Sequence, residues 1–520
     1  MTTETRYKPS LGQKILSLST ALLFVISLAA CGGGGGGGGG ATLTVSPATA
    51  TVVTGLSIQL TASISGVSWS VNGVAGGNAT VGTVDASGFY TAPLVVPTPA
   101  VVAVTATTPG ATQSASAQIT VIPLALAGAG GGYAGTFADV GNLKVARSNH
   151  TATLLSSGKV LVAGGIGANG AAIASAELFR PSFSNFSSSA PMKTSRAYHT
   201  ATQLQNGKVL ITGGFDANNN VLAQSELYDP ATDAFYATGS MAVPRAYHSA
   251  TLLLNGMVLI AGGSATSDLT TGTPLDSIEL YDPATGKFTS PATSFLKDSR
   301  FYHTATLLKT GQVLLVGGIG LNGQKLSTAE LYDPAAVTGN KISSTGSLAT
   351  GRWLHTATIL ADGRVLIAGG SSGTIAGQIP SFTSLGSIEI YDPLTGLFTD
   401  TIRYTDAPLN TVIDPLSQLV DTRDFFTTTL LADQTLLSTG GFGLLSTDPT
   451  LSSSLATAEL FFLNGGGAGI STTGYTGSMA IQRANHTATM LPSSGKVLVI
   501  GGGGYSSGSF AVTNSAVVYQ

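Results

Sequence analysis

Short apolar runs, alternating or continuous, recur from residue 132 to residue 520 with glycine-rich breaks between them. His199 to Leu204 alternates, Asn206-Gly207 follows, and Lys208 to Thr212 is largely apolar; Asn255-Gly256 and Asp362-Gly363 occupy the same place in later stretches. Such pairs predict hairpins whose turns take positive φ angles. A third run covers Ala176 to Phe179, Ser225 to Tyr228, Ile278 to Tyr281, Ala329 to Tyr332, Ile388 to Tyr391 and Ala458 to Phe461, and a shorter fourth lies around Phe235, Phe288 and Phe398. No helical period intervenes, so the pattern predicts units of four strands.

The histidine of RAYHTATQLQNGKVLITGG serves as a marker for the unit. Its equivalents are His150, His199, His248, His303, His355, Phe426 and His486, which account for all six histidines of the protein. Three residues earlier stands an arginine, Arg147, Arg196, Arg245, Arg300, Arg352, Arg423 or Arg483. A glycine pair begins fourteen residues after the marker in six copies and fifteen after it in the last, at Gly501. The markers are spaced 49, 49, 55, 52, 71 and 60 residues apart. A period near 50 predicts a propeller or solenoid, and four strands per unit favour the propeller.

The Arg-x-x-His start, the strand ending in Gly-Gly, the Glu-Leu-Tyr-Asp-Pro third strand and the closing aromatic resemble the kelch repeat. The resemblance covers about residues 132–520 and implies an all-β, seven-bladed kelch propeller of the galactose oxidase-like group. Copy six departs from it with Phe426 for His and Phe462 for Asp, and copy one with Arg180 for Asp. Tyr133 to Leu143 reads as a detached fourth strand, and the last copy stops at Tyr519-Gln520 after its third. The expectation is a propeller domain over residues 133–520, its seventh blade closed by strand 133–143.

The chain opens with Arg6, Lys8 and Lys14, then an apolar run from Leu16 to Ala30, then Cys31. A basic start before a short apolar core predicts an export signal over residues 1–30, too short for a spanning helix. Leu28-Ala29-Ala30-Cys31 resembles the bacterial lipobox, which implies cleavage before Cys31, the only cysteine, and its lipidation. An ordinary secretory signal is the alternative. Nine glycines, Gly32 to Gly40, follow as a flexible tether, with a root-mean-square span of roughly 15 to 18 Å. Gly32 rather than Asp after the lipidated cysteine favours the outer membrane by analogy. Leu56 to Ile64, Val67 to Val71, Val101 to Thr107 and Ala115 to Val121 predict a small sandwich over residues 41–122, with Trp69 in its core. Trp69-Ser-Val-Asn-Gly and Gly88-Phe-Tyr-Thr-Ala-Pro93 resemble bacterial immunoglobulin-like domains, which implies a spacer or an adhesive module. Residues 123–132 read as a linker.

Charged residues are 9% of the chain. Without residues 1–30 the balance is 20 basic against 25 acidic, which disfavours nucleic acid as a partner. Histidines at equivalent places in different blades cannot converge on a metal unless they all face a narrow axis, so each is expected to close a hydrogen bond within its own blade. The arginines recur with Glu177, Glu226, Glu279, Glu330, Glu389 and Glu459, which predicts internal ion pairs; in copy seven the place falls to Val517. After Cys31 no cysteine remains for the tyrosine crosslink of galactose oxidase, so that copper-radical activity is not carried over. No nucleophile elbow, phosphate loop or HExxH helix is present. No catalytic, cofactor-binding or metal residue is therefore assigned, and no cofactor is expected.

If strands alternate in direction, the long segments Ser264 to Asp276, Ser371 to Gly386, Thr401 to Thr422 and Phe442 to Leu455 gather on one face. Variable loops on a rigid scaffold are where recognition resides. Tyr404, Asp406, Asp414, Asp421 and Arg423 are the polar ligand candidates there. The expected function is non-catalytic binding of a protein or glycan by a monomeric, membrane-anchored envelope protein. The alternative is a carbohydrate-active enzyme on the same scaffold.

Overall fold

The computed structural model describes residues 42–53, 57–93, 97–122, 135–268, 272–291, 294–337, 340–376, 379–380, 382–399, 401–403, 412–415, 418–445, 448–464, 469–506 and 509–520. Cys31 and the glycine run lie outside them. No helix among the described residues is long and apolar enough to cross a membrane.

The described residues between 42 and 122 form two larger sheets and one two-stranded pair, Val45–Ser46 with Thr61–Ala62, around one core. Thr49–Val53 pairs in parallel with Ser114–Ile122, which continues through Val101–Thr107 and Ser68–Val71 to Val74–Ala75. Ser57–Gln59, Phe89–Thr91, Gly82–Val84 and Gly77–Asn78 make the second sheet. Alternation decides which side faces in: Val102, Val104 and Ala106 are buried while Val101 is exposed. These side chains meet Val84 and Tyr90 of the facing sheet, with Trp69 buried among them.

From Phe137 to Tyr519 the described residues form seven four-stranded antiparallel sheets. In the second of them Thr200–Gln203, Val209–Thr212, Ser225–Asp229 and Ala234–Ala237 pair in chain order. The Val209–Thr212 strand is buried at every position, because it lies between two strands of its own sheet and two neighbouring sheets. Its sequence is accordingly continuous rather than alternating. The apolar layers sit between blades: Leu161, Ala163 and Leu178 of one pack against Val209, Ile211 and Tyr228 of the next. First strands lie side by side around an axis, Thr151–Leu154 being flanked by Thr200–Gln203 on one side and Thr487–Leu491 on the other. The sheets therefore form a closed propeller. In the sheet of the last copy, the fourth strand is Phe137–Val140, antiparallel to Ala516–Tyr519 with Phe137 opposite Tyr519.

The glycine pair is where one blade meets the next. Gly165 N–H donates to the Arg196 carbonyl at 2.9 Å, and the same bond runs from Gly214 to Arg245 and from Gly502 to Arg147 across the closure. A Cβ on Gly164 would stand 2.4 Å from the Arg196 oxygen and 2.8 Å from the His199 ring, and φ at this position is +63°. Both the left-handed backbone and the close approach exclude a side chain.

The histidines correct the expectation of a bond within one blade. His199 Nε2 shares a hydrogen bond with Thr151 Oγ1 of the preceding blade at 3.0 Å, and His248 does so with Thr200, His303 with Ser249, His355 with Thr304, His486 with Thr427 and His150 with Thr487. Phe426 cannot, and there Thr356 donates to Thr428 instead. The hairpin turns also differ from expectation. Gly207 is left-handed but Asn206 is not; its Oδ1 accepts the Lys208 N–H at 3.1 Å, as in a type I turn followed by a glycine bulge.

Leu143, just after the closing strand, is 1% exposed between the first and last blades. Leu143→Ala should cost about 2–5 kcal/mol in urea unfolding, and deletion of residues 133–143 should lower the melting temperature sharply. An unchanged melt after the deletion would contradict the closure. Burial holds all six imidazoles neutral in the fold, those of His248, His355 and His486 with pKa values pushed down to about 3. A depressed pKa means that only the unfolded chain takes up protons as pH falls from about 6.5. Each imidazole then withdraws up to about 1.4 kcal/mol of stability per pH unit. The melting temperature should fall steeply between pH 6.5 and 4, less so in a His303→Phe variant that imitates copy six.

Candidate functional site

The residue before each marker is left-handed in every copy: Asn149, Tyr198, Tyr247, Tyr302, Leu354, Phe425 and Asn485, with φ between 54° and 61°. Non-glycine residues rarely adopt this conformation, so its recurrence marks a demand of the ring. The bend turns the backbone toward the axis, where it bonds from copy to copy. Asn149 N–H donates to Asn485 O at 3.1 Å, Tyr302 to Tyr247 at 3.2 Å, and Asn485 to Phe425 at 3.2 Å.

Aromatic rings fill one sector of this axis, with centroids 4.9 Å apart for Tyr198 and Tyr247, 4.6 Å for Tyr247 and Tyr302, and 5.8 Å for Tyr302 and Trp353. Loop carbonyls close over them: Tyr247 Oη donates to Ser267 O and Trp353 Nε1 to Gly373 O. Burial raises the phenol pKa values of Tyr247 and Tyr302. Phe382 and Phe425 carry the rings on into copy six, where Asp424 stands beside Phe425, whereas copies seven and one place the polar Asn485 and Asn149 at the equivalent position. Ser384 Oγ donates to Asp424 Oδ2, while the buried Asn485 amide has no hydrogen-bond partner among the described residues.

The recurring arginines turn inward. Arg196 is fully buried, with Nη1 donating to the carbonyls of Gly213 and Gln224 and Nη2 to Glu226 at 2.8 Å. Burial lowers the pKa of Arg147, Arg196, Arg245, Arg300 and Arg352, and the paired glutamate opposes that shift. Each pair closes within one copy.

Of the ligand candidates, Tyr404 and Asp406 lie outside the described residues. Asp414 falls in Val412–Pro415, which pairs with Thr401–Arg403. Asp421 and Arg423 come together, but inside the blade: both are fully buried, Nη2 of the arginine donating to Asp421 at 3.2 Å and to Glu459 at 2.6 Å. Thr457 and Tyr475 hydroxyls also donate to the Asp421 carboxylate. The contacts of these two side chains thus lie inside the blade.

Sequence reasoning missed a hairpin. Gly503–Ser506 pairs with Ser509–Val512 beside the hairpin of Phe442–Leu445 and Asp448–Ser454. Half-buried Phe442, Tyr505 and Phe510 form one aromatic group there, with centroids 5.5 to 6.2 Å apart. The signal was present in the sequence as Tyr505 and Phe510 flanking Ser-Ser-Gly-Ser, a short turn between aromatics.

Among the described residues no three His, Cys, Asp or Glu side chains gather closely enough to hold a metal ion. Each imidazole lies at a different blade junction with Nε2 bonded to a hydroxyl, so the described histidines do not fit a copper centre.

A family model described as the KLHDC2/KLHL20/DRC7 Kelch-repeats domain matches residues 149–370. No curated protein matches the chain. Among solved structures, a novel fungal alcohol oxidase of the AA5 family in complex with copper is similar at 18% identity and a TM-score of 0.53, covering 75% of this chain and 76% of that one. The structure of YjhT is similar at 12% identity and a TM-score of 0.47, covering 64% and 99%. The fold is thus a β-propeller, and kelch repeats are matched over residues 149–370.

Removing Arg196 strands a buried carboxylate, whereas Arg483 has no glutamate to strand. Arg196→Met should therefore destabilise by about 3–5 kcal/mol and Arg483→Met by clearly less, as compared in parallel urea titrations.

Proposed function

We propose that this chain is a lipid-anchored, non-catalytic binding protein of the bacterial envelope that captures a protein or glycan on the loop-bearing face of its kelch propeller. Cys31 carries the lipid in this reading. The glycine run is the tether, the residue 42–122 sandwich an immunoglobulin-like spacer, and the propeller a seven-bladed monomer held at the outer membrane.

The observation that carries the reading is the aromatic group of Phe442, Tyr505 and Phe510, half-exposed on adjacent hairpins. Aromatic faces offer contact area to apolar side chains or to the C–H faces of a sugar without a charge to desolvate. An enzyme acting on carbohydrate would need acids and an arginine reaching the axis mouth. Asp421, Arg423 and Glu459 are instead buried against one another, which favours binding over catalysis.

A glycan array probed with the fragment from Ala41 onward, beside a pull-down from envelope extract, tests the reading. Tyr505→Ala and Phe510→Ala should each weaken the captured interaction by about tenfold or more. Phe183→Ala, which alters an aromatic 70% exposed beside a fourth strand, should leave it unchanged. Equal binding by all three variants would remove the aromatic group from the interface.

A further inference from the structure

The third-strand glutamate has the same partners in six blades. Glu226 accepts from Arg196 Nη2 at 2.8 Å and from the backbone N–H groups of Lys193 and Thr194 at 2.7 and 3.1 Å. The N–H three residues before the arginine donates in all six blades, and the one two before it in five. Three donors thus converge on one carboxylate.

Blade seven keeps these donors and lacks the acceptor. Arg483 is fully buried, with Nη1 donating to Gly501 O and Ser515 O at 3.1 and 3.0 Å and Nη2 to Ser515 Oγ at 2.7 Å. Arg245 is held in the same way by Gly262 and Ser277. The backbone follows the same path. Met479 N–H donates to Ala456 O as Met192 does to Ala174, and Arg483 N–H to Leu455 O as Arg196 does to Ile173. Val517 stands opposite Val499 where Glu226 stands opposite Ile211. Its side chain stops short of the place of a carboxylate. Ala480 and Ile481 are exposed, and their N–H groups donate to nothing among the described residues. Arg483 forms no ion pair within 4.0 Å among those residues. Asp139, opposite Val517 on the closing strand, is exposed.

We propose that blade seven binds a small monovalent anion, chloride or a short carboxylate, between Arg483 Nη2 and the backbone N–H groups of Ala480 and Ile481, where the other blades place a glutamate. A buried cation without a counter-charge is costly, and converging N–H groups form an anion seat. Burial depresses the Arg483 pKa to about 10, and the field of Asp139 opposes this. An anion taken from solution at the exposed Ala480–Ile481 edge supplies the missing charge.

The test uses the purified full-length chain at constant ionic strength. Replacing gluconate by chloride or by formate should raise the melting temperature saturably, by on the order of 2 °C; comparing the two distinguishes a spherical ion from a carboxylate. Val517→Glu should melt higher than the wild type in gluconate and show no anion-specific rise. If that variant does not fold, Arg483→Gln should likewise lose the rise, and a bromide-soaked crystal should show an anomalous peak at Arg483. The proposal fails if chloride, formate and gluconate act alike on the wild type, if the rise survives in either variant, or if no bromide binds there. It fails equally if the wild type shows no rise and Asp139→Asn gains one, for Asp139 would then be the counter-charge.

Discussion

The propeller depends on how closely two backbones can approach at each blade junction. The second glycine of every pair donates to the carbonyl of the next copy's arginine, and the first lies against the next copy's marker ring. Any Cβ at these points would overlap backbone, so the spacing between blades is set there. The inter-blade layers of valine, leucine and isoleucine then fill a gap of fixed width. The histidine–hydroxyl bonds lie across the same gap. Such a bond is satisfied only when two blades are in place, which couples each unit to its neighbour.

This coupling gives the most faithfully repeated residues a structural task. Arg196 and its equivalents look like catalytic or binding side chains when read along the chain. Their guanidinium groups instead bridge two carbonyls at the ends of the second and third strands, those of Gly213 and Gln224 for Arg196, the latter also accepting the Gly213 N–H. Asp421 adds a second carboxylate to the pair in copy six, and Tyr475 covers it. A polar residue in a long segment need not be at the surface.

Much of the fold was legible because repetition multiplies weak signals. A single Val-Leu-Ile-Thr run fits a buried helix turn as well as a strand, whereas seven of them at one offset from a glycine pair leave little choice. Arg–Glu pairing within a copy could be read from co-occurrence, and the loss of Glu at Val517 from the one copy that breaks it. The partner of each histidine was not legible. A hydroxyl one residue after the marker lies nearest in sequence within its own copy and nearest in space to the ring of the next. The Phe442, Tyr505 and Phe510 group was hidden for a related reason: its members come from two copies and meet only when hairpins of adjacent blades stand side by side.

The closing strand carries a consequence for the order of events in folding. Phe137–Val140 precedes all the other propeller strands in the chain, yet its partner Ala516–Tyr519 follows all of them. Of the propeller strands it leaves the ribosome first and can pair last, after the strands of every other blade have been made. Until then one blade is short of its outer strand, and two unpaired edges coexist in the same molecule. Contacts so distant in sequence are slow to form. The interval in which the ring is open is therefore the interval in which a second open copy could supply the missing strand.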